Sequence, residues 1–113
     1  YFQGAHQKAL ENYLLAAKYD PTSAAAYNGV GLGNFALRKY TDALENFSRA
    51  ITLFPQSDRF YRNRASTYTN LRNFTNAAAE FRSASLVNTD PTLVEEYQKL
   101  IKDSETLAAG GST

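Results

Sequence analysis

The sequence predicts an all-α fold of stacked antiparallel helix pairs closed by a C-terminal capping helix. Three observations carry that prediction: self-similarity at a period of 34 residues, apolar residues recurring at steps of three and four within each period, and a proline ending each one. The prolines stand at 21, 55 and 91, with spacings of 34 and 36. A shift of 34 superposes Ala9, Ala43 and Ala77; Tyr13, Phe47 and Phe81; and Ala16, Ala50 and Ala84. The same shift pairs Tyr27 with Tyr61, Leu37 with Leu71, Tyr40 with Phe74, and Thr41 with Thr75. At 113 residues the chain has mass for one compact domain and too little for two.

Residues 1–8 open with Tyr1-Phe2-Gln3-Gly4-Ala5-His6, which reads as the tail of an engineered protease site plus vector residues and is set apart from the fold. Residues 9–21 read as the second helix of a repeat whose first helix is missing. The chain is therefore expected to be a fragment of a longer protein, with Leu10, Tyr13, Leu14 and Ala17 open to a neighbouring chain. Residues 24–57 form a full period: a helix from Ala24 to Leu37, the polar connection Arg38-Lys39-Tyr40-Thr41, and a helix from Asp42 to Phe54. Ala43, Leu44, Phe47, Ala50, Ile51 and Phe54 make the apolar stripe of that second helix, and Pro55 ends it, because proline cannot continue the hydrogen-bonded ladder.

Residues 58–91 repeat the pattern, and Thr41 and Thr75 are expected to cap the second helix of each pair. Asp90-Pro91 is expected to cap a terminal helix over 92–108, with Leu93, Val94, Tyr97, Leu100 and Ile101 on one apolar face and the charged residues away from it. Residues 109–113 are expected to form a flexible tail. Gly31 or Ala65 on each first helix, and Ala43 or Ala77 on each second, let the axes approach closely. Tyr27, Tyr61, Tyr40, Phe74, Phe47 and Phe81 are the expected knobs between helices.

Composition narrows the chemistry. There is no Cys, and the single His lies in the segment set apart, so disulfides, thiol catalysis, Cys/His metal sites and histidine acid–base catalysis are all removed. No enzyme activity, cofactor or metal is expected. Twelve Lys+Arg against eleven Asp+Glu give a formal charge of +1, unlike the basic excess of a nucleic-acid binder. The distribution is uneven: Arg59 to Arg82 is a basic stretch, and Asp90 to Glu105 an acidic one. No apolar run is long enough to span a bilayer. Missing cysteine favours an intracellular, cytoplasmic setting, although the compartment stays unknown.

This pattern resembles the tetratricopeptide repeat family, a 34-residue helix-turn-helix unit. Tyr27, Val30, Gly31, Tyr40, Ala43, Phe47, Ala50 and Pro55 match the signature in the first full repeat; Tyr61, Ala65, Tyr68, Phe74, Ala77, Phe81 and Ala84 match it in the second. The departures are Asn34 in place of an aromatic, Arg64 in place of Leu, and Pro91 two residues late. The resemblance covers roughly residues 9–91. It implies a right-handed α-solenoid whose first helices line a concave groove that binds peptides and proteins without catalysis.

On that resemblance the groove residues are Asn28, Gly29, Leu32 and Phe35 from the first full repeat and Arg59, Arg62, Asn63, Ser66, Thr69 and Asn70 from the second. The first set offers an apolar floor, with the space left by Gly29 expected to admit a bulky partner side chain. The second offers two fixed positive charges with amide and hydroxyl groups, suited to acidic side chains or a terminal carboxylate. The bland alternative leaves both arginines solvated or paired with acids such as Asp58, Glu95 and Glu96. The two-carboxylate clamp by which some family members hold chaperone tails is poorly matched, since Asn28 and Leu32 stand where its Lys and Asn belong.

Other motifs weigh less. Gly29-Val30-Gly31-Leu32-Gly33 lacks the preceding strand of a phosphate loop and reads as a close-packed helix. Asn46-Phe47-Ser48 and Asn73-Phe74-Thr75 match the glycosylation pattern, yet each contains a repeat aromatic. The expected function is a protein-interaction module in an adaptor or scaffold role. Self-association through the truncated N-terminal repeat is the alternative, and single-stranded RNA binding by the arginines a weaker third.

Overall fold

The computed structural model describes residues 2–110. Tyr1 and residues 111–113 of the expected tail lie outside the described residues. Among the described residues six α-helices follow one another: α1 (Phe2–Tyr19), α2 (Ala24–Ala36), α3 (Tyr40–Leu53), α4 (Asp58–Asn70), α5 (Phe74–Val87) and, after a 3-10 turn at Pro91–Leu93, α6 (Val94–Ala108). They form two compact units, one ending at Pro55 and the other starting at Gln56. In the first, α2 packs on both α1 and α3; in the second, α5 packs on both α4 and α6.

Helix α1 starts at Phe2 rather than at the expected Ala9, running straight through the segment set apart from the fold. Ala5, Gln7, Lys8 and Ala9 are all good helix formers, and nothing among them stops propagation. At its other end Asp20 precedes Pro21, and Asp20 Oδ1 accepts from the Thr22 amide at 3.1 Å and hydroxyl at 2.6 Å. Those two bonds, the hydroxyl's the larger, hold the Asp20 carboxyl below its ordinary pKa. Asp90 repeats the device at the end of the second full period, accepting from the Thr92 amide and hydroxyl at 2.9 and 2.7 Å, with the same depressed carboxyl pKa.

The connections within each pair differ from expectation. Thr41 and Thr75 do not cap: α3 begins at Tyr40 behind Lys39, and α5 begins at Phe74 behind Asn73, whose side chain accepts from the Asn76 amide. The cause lies one residue earlier, where Arg38 (φ 62°) and Arg72 (φ 59°) take the left-handed conformation. Each completes a Schellman turn. The Lys39 amide reaches Asn34 O at 2.8 Å and Arg38 reaches Phe35 O at 3.0 Å; Asn73 and Arg72 do the same to Tyr68 O and Thr69 O. The chain reverses so tightly that the next helix starts before the threonine. Ser23, by contrast, caps α2 through its hydroxyl, which accepts from the Ala26 amide at 3.1 Å. Pro55 ends α3 as expected, with Phe54 extended at φ −147°, ψ 89°.

Phe47, Ala43 and Ala50 are fully buried in the first unit, and Ala65, Ala77, Ala84 and Tyr97 in the second, with Phe81 nearly so. Tyr61, Tyr68, Leu93, Leu100 and Ile101 pack on that second cluster while remaining partly exposed. Of the expected aromatic knobs, Tyr27, Tyr40, Tyr61 and Phe74 are only half-buried. Val94 leaves the expected apolar face of α6 and is exposed, because Leu93 of the preceding 3-10 turn takes the contact with the cluster. No described helix is long and apolar enough to cross a membrane.

Candidate functional site

The ten residues expected to line a binding surface divide by element: four stand on α2 in the first unit and six on α4 in the second. On α2 the geometry overturns one expectation. A Cβ on Gly29 would lie 2.2–2.5 Å from ring atoms of Tyr13, so the space left by the glycine is filled by α1 of the same chain and admits no partner side chain. The other two glycines act alike. A Cβ on Gly31 would meet the Phe47 ring at 2.5 Å, and one on Gly33 would meet Leu10 at 2.9 Å. The Gly-Val-Gly-Leu-Gly run is therefore a helix face reduced for close packing on both sides. The same approach buries Leu10 and Ala17, two of the residues expected to be open, while Tyr13 and Leu14 stay exposed.

What α2 offers outward is small. Asn28 is buried, Phe35 stands edge-on to Tyr40 with centroids 5.5 Å apart, and Leu32 is the exposed large apolar residue of the four. Asn34, buried where the repeat pattern has an aromatic, accepts from Asn46 Nδ2 at 3.1 Å and so ties α2 to α3. That bond, with a second to Asp42 O, occupies the amide of one glycosylation-type motif; Asn73 of the other is a helix cap.

Helix α4 is different in kind. Arg59 is exposed and makes no ion pair among the described residues, whereas Arg62 is half-buried, 3.7 Å from Glu96 on α6 and 5.6 Å from the centroid of the Tyr97 ring. Tyr97 donates to Asp58 Oδ2 at 2.5 Å. Burial, then the Asp58 bond and its charge, push the Tyr97 phenol pKa far up, so it stays neutral and keeps donating. Arg64, expected to disturb the packing, reaches Glu80 on α5 at 2.8 Å in a half-buried ion pair. The disturbance is absorbed by a charge partner rather than by a gap.

Further along α4, Thr69 donates its hydroxyl to Ala65 O at 3.0 Å and Asn70 donates Nδ2 to Ser66 O at 2.9 Å. Ser66, Thr69 and Asn70 form one wall of a cavity of about 260 Å³, completed by Phe81 of α5 and by Leu100, Asp103, Ser104 and Leu107 of α6. Ser66, Thr69 and Asn70 are residues that the sequence singles out for binding, whereas those of the α6 wall are not. The missed signal is the acidic stretch itself, since Asp103 and Ser104 continue α6 beyond its apolar stripe. A larger cavity of about 460 Å³ lies in the first unit beside Pro21, Tyr27 and Leu53. Its charged residues answer each other: Arg49 pairs with Glu45 at 2.9 Å and stacks on Tyr27 at 5.8 Å.

With this geometry in place, the chain can be set beside known proteins. No protein-family model matches it. The curated Hsp70-Hsp90 organizing protein 3 of Arabidopsis thaliana is 31% identical over 81 residues, which cover 72% of this chain and 14% of that protein. The chain thus corresponds to about one seventh of that relative's length. Among solved structures, PcrH in complex with the chaperone binding region of PopD superposes with a TM-score of 0.84 at 20% identity, covering 91% of this chain and 80% of the other. The TPR2B domain of yeast Sti1, in a complex with pHsp70, gives a TM-score of 0.83 at 17% identity, covering 93% and 86%.

Proposed function

The chain carries the tetratricopeptide-repeat fold, and from that premise we propose that it is a protein-interaction module that holds a peptide or protein segment in an adaptor or scaffold role. The observation that carries this reading is the outward face of α4: an exposed Arg59 with no ion pair among the described residues, a loosely paired Arg62, and a run of hydroxyl and amide groups behind them. The Arg62–Glu96 separation of 3.7 Å, with side chains 38% and 48% exposed, makes a pair that a ligand carboxylate replaces at little cost. Acidic side chains or a terminal carboxylate are the ligand groups such a face selects, because guanidinium binds carboxylate bidentately. That PcrH and the Sti1 domain were each solved with a protein or peptide partner supports the reading. The two-carboxylate chaperone clamp is not carried over, for Asn28 and Leu32 of α2 stand where its Lys and Asn belong.

Fluorescence polarisation with short acidic peptides tests the proposal. Binding is expected to weaken with added salt and to fall about ten-fold in Arg59→Ala and Arg62→Ala, in keeping with a charge-assisted hydrogen bond worth roughly 1.5–3 kcal/mol. Binding that ignores both arginines removes α4 from the site.

A second reading rests on α1. Ala9, Tyr13 and Ala16 are exposed, whereas their equivalents Ala43, Phe47 and Ala50, and Ala77, Phe81 and Ala84, are buried. This face is the one through which the other second helices meet their partners, and a second copy of the chain is an occupant it fits. Light scattering over a concentration series measures this; a constant monomer mass that is unaltered in Tyr13→Glu counts against it.

A further inference from the structure

The cavity between α4, α5 and α6 has a chemistry of its own, distinct from the arginines at the other end of α4. Its floor is apolar, from Phe81, Leu100 and Leu107, and its rim carries the Asp103 carboxylate. On the α4 wall the Thr69 hydroxyl hydrogen is committed to Ala65 O and one Asn70 Nδ2 hydrogen to Ser66 O. A hydroxyl that donates into its own helix presents oxygen lone pairs to a neighbour. Among the described residues Asp103 is held only by Lys99, four residues back on the same helix, at 3.2 Å, and the two side chains are 47% and 79% exposed. Such a pair is readily exchanged for an incoming cation. An apolar floor under an acceptor-rich, anionic rim fits a long aliphatic stem ending in a positive donor, the form of a lysine or arginine side chain.

We propose that this cavity is a subsite for a basic residue of the bound peptide, so that the ligand is bipolar, with an acidic group at Arg59 and Arg62 and a Lys or Arg against Asp103. This rests on the peptide-binding reading above and adds a spacing to it. From Arg62 to Asn70 the helix rises about 12 Å. An extended peptide advances about 3.3 Å per residue, which places the acid and the base about four positions apart in the ligand.

The experiment uses fluorescein-labelled peptides in which one Glu is followed or preceded, four positions away, by Lys, Leu or Glu, with Ala elsewhere. In one order of the two charges, the Lys peptide is expected to bind about ten-fold tighter than the Glu–Glu peptide, with Leu between. Asp103→Asn is expected to bring that ratio near one, and Asp103→Lys to invert it. Arg62→Ala is expected to weaken all three peptides alike. Asp103 is half-exposed, so these variants fold, and circular dichroism checks that they do. Peptides that bind and respond to Arg62→Ala, but show no preference among Lys, Leu and Glu in either order, overturn the subsite and leave the wider reading standing. No binding by any peptide overturns both.

Discussion

Helices α2 and α4 hold the same place in successive repeats, yet they are built from opposite materials. The frame is shared: Tyr27 and Tyr61, Gly31 and Ala65, and the buried Phe47 and Phe81 behind them coincide at a shift of 34. Elsewhere the pair diverges. Val30, buried in the first unit, corresponds to Arg64, and Asn46 corresponds to Glu80. Each of those last two ties its helix to the one before it, Asn46 by a side-chain hydrogen bond donated to Asn34 and Glu80 by an ion pair to Arg64. A fixed position supplies the tie while its chemistry varies. The lesson is that the repeat constrains a few small and aromatic positions, and the freedom left over is used by α2 for close packing and by α4 for exposed polar groups.

The largest test of the shared frame is truncation of the two buried phenylalanines. Phe47→Ala and Phe81→Ala are each expected to cost about 3–5 kcal/mol in urea unfolding, whereas Tyr27→Ala, half-buried, costs clearly less. Unequal losses at Phe47 and Phe81 break the equivalence of the two units. Next in size, Glu80→Ala removes a charge-assisted bond from the half-buried Arg64 and is expected to cost about 2 kcal/mol. The double variant Arg64→Val with Glu80→Ala, which removes both charges together, is expected to recover most of that loss. A double variant worse than the single one shows that the tie is specific to its surroundings.

Much of this was legible in the sequence, and the reasons are physical. Ala43, Phe47, Ala50, Ala77, Phe81 and Ala84 sit at helical spacing on the face that another helix covers, and all are buried. What periodicity does not contain is which neighbour fills a gap. Gly29 announces an absent side chain, but only the placement of α1 reveals that the Tyr13 ring lies there. Likewise Thr41 and Thr75 have the right chemistry for caps, and they lose the role because Arg38 and Arg72 adopt a backbone conformation rare outside glycine and asparagine. The cavity beside α6 was only half legible for a third reason: the acidic stretch is in view, but not what it faces. It is made by three helices, and no single stretch of sequence carries its outline.

Two smaller effects sharpen the contrast. Gly31→Ala gains about 1 kcal/mol of helix propensity but forces a methyl group against the Phe47 ring, so we expect a net loss of about 1 kcal/mol. The reciprocal Ala65→Gly loses on both counts. If Gly31→Ala proves stabilising, α2 and α3 are not held at the close approach described. Smallest is the relief of the left-handed arginines: Arg38→Gly is expected to raise stability by about 0.5–1 kcal/mol. Arg72→Gly is expected to gain less, because Arg72 also lies 5.6 Å over the Phe74 ring.

The central claim is that recognition belongs to the polar face of α4 rather than to the larger cavity of the first unit, whose charges already answer one another. Amide chemical shifts recorded during titration with an acidic peptide test it most directly. The account predicts shifts at Arg59, Arg62, Asn63 and Ser66 that saturate with the peptide and vanish in Arg59→Ala/Arg62→Ala, while Glu45, Arg49 and Thr52 stay still. Saturating shifts at Glu45, Arg49 and Thr52, with α4 unmoved, contradict it.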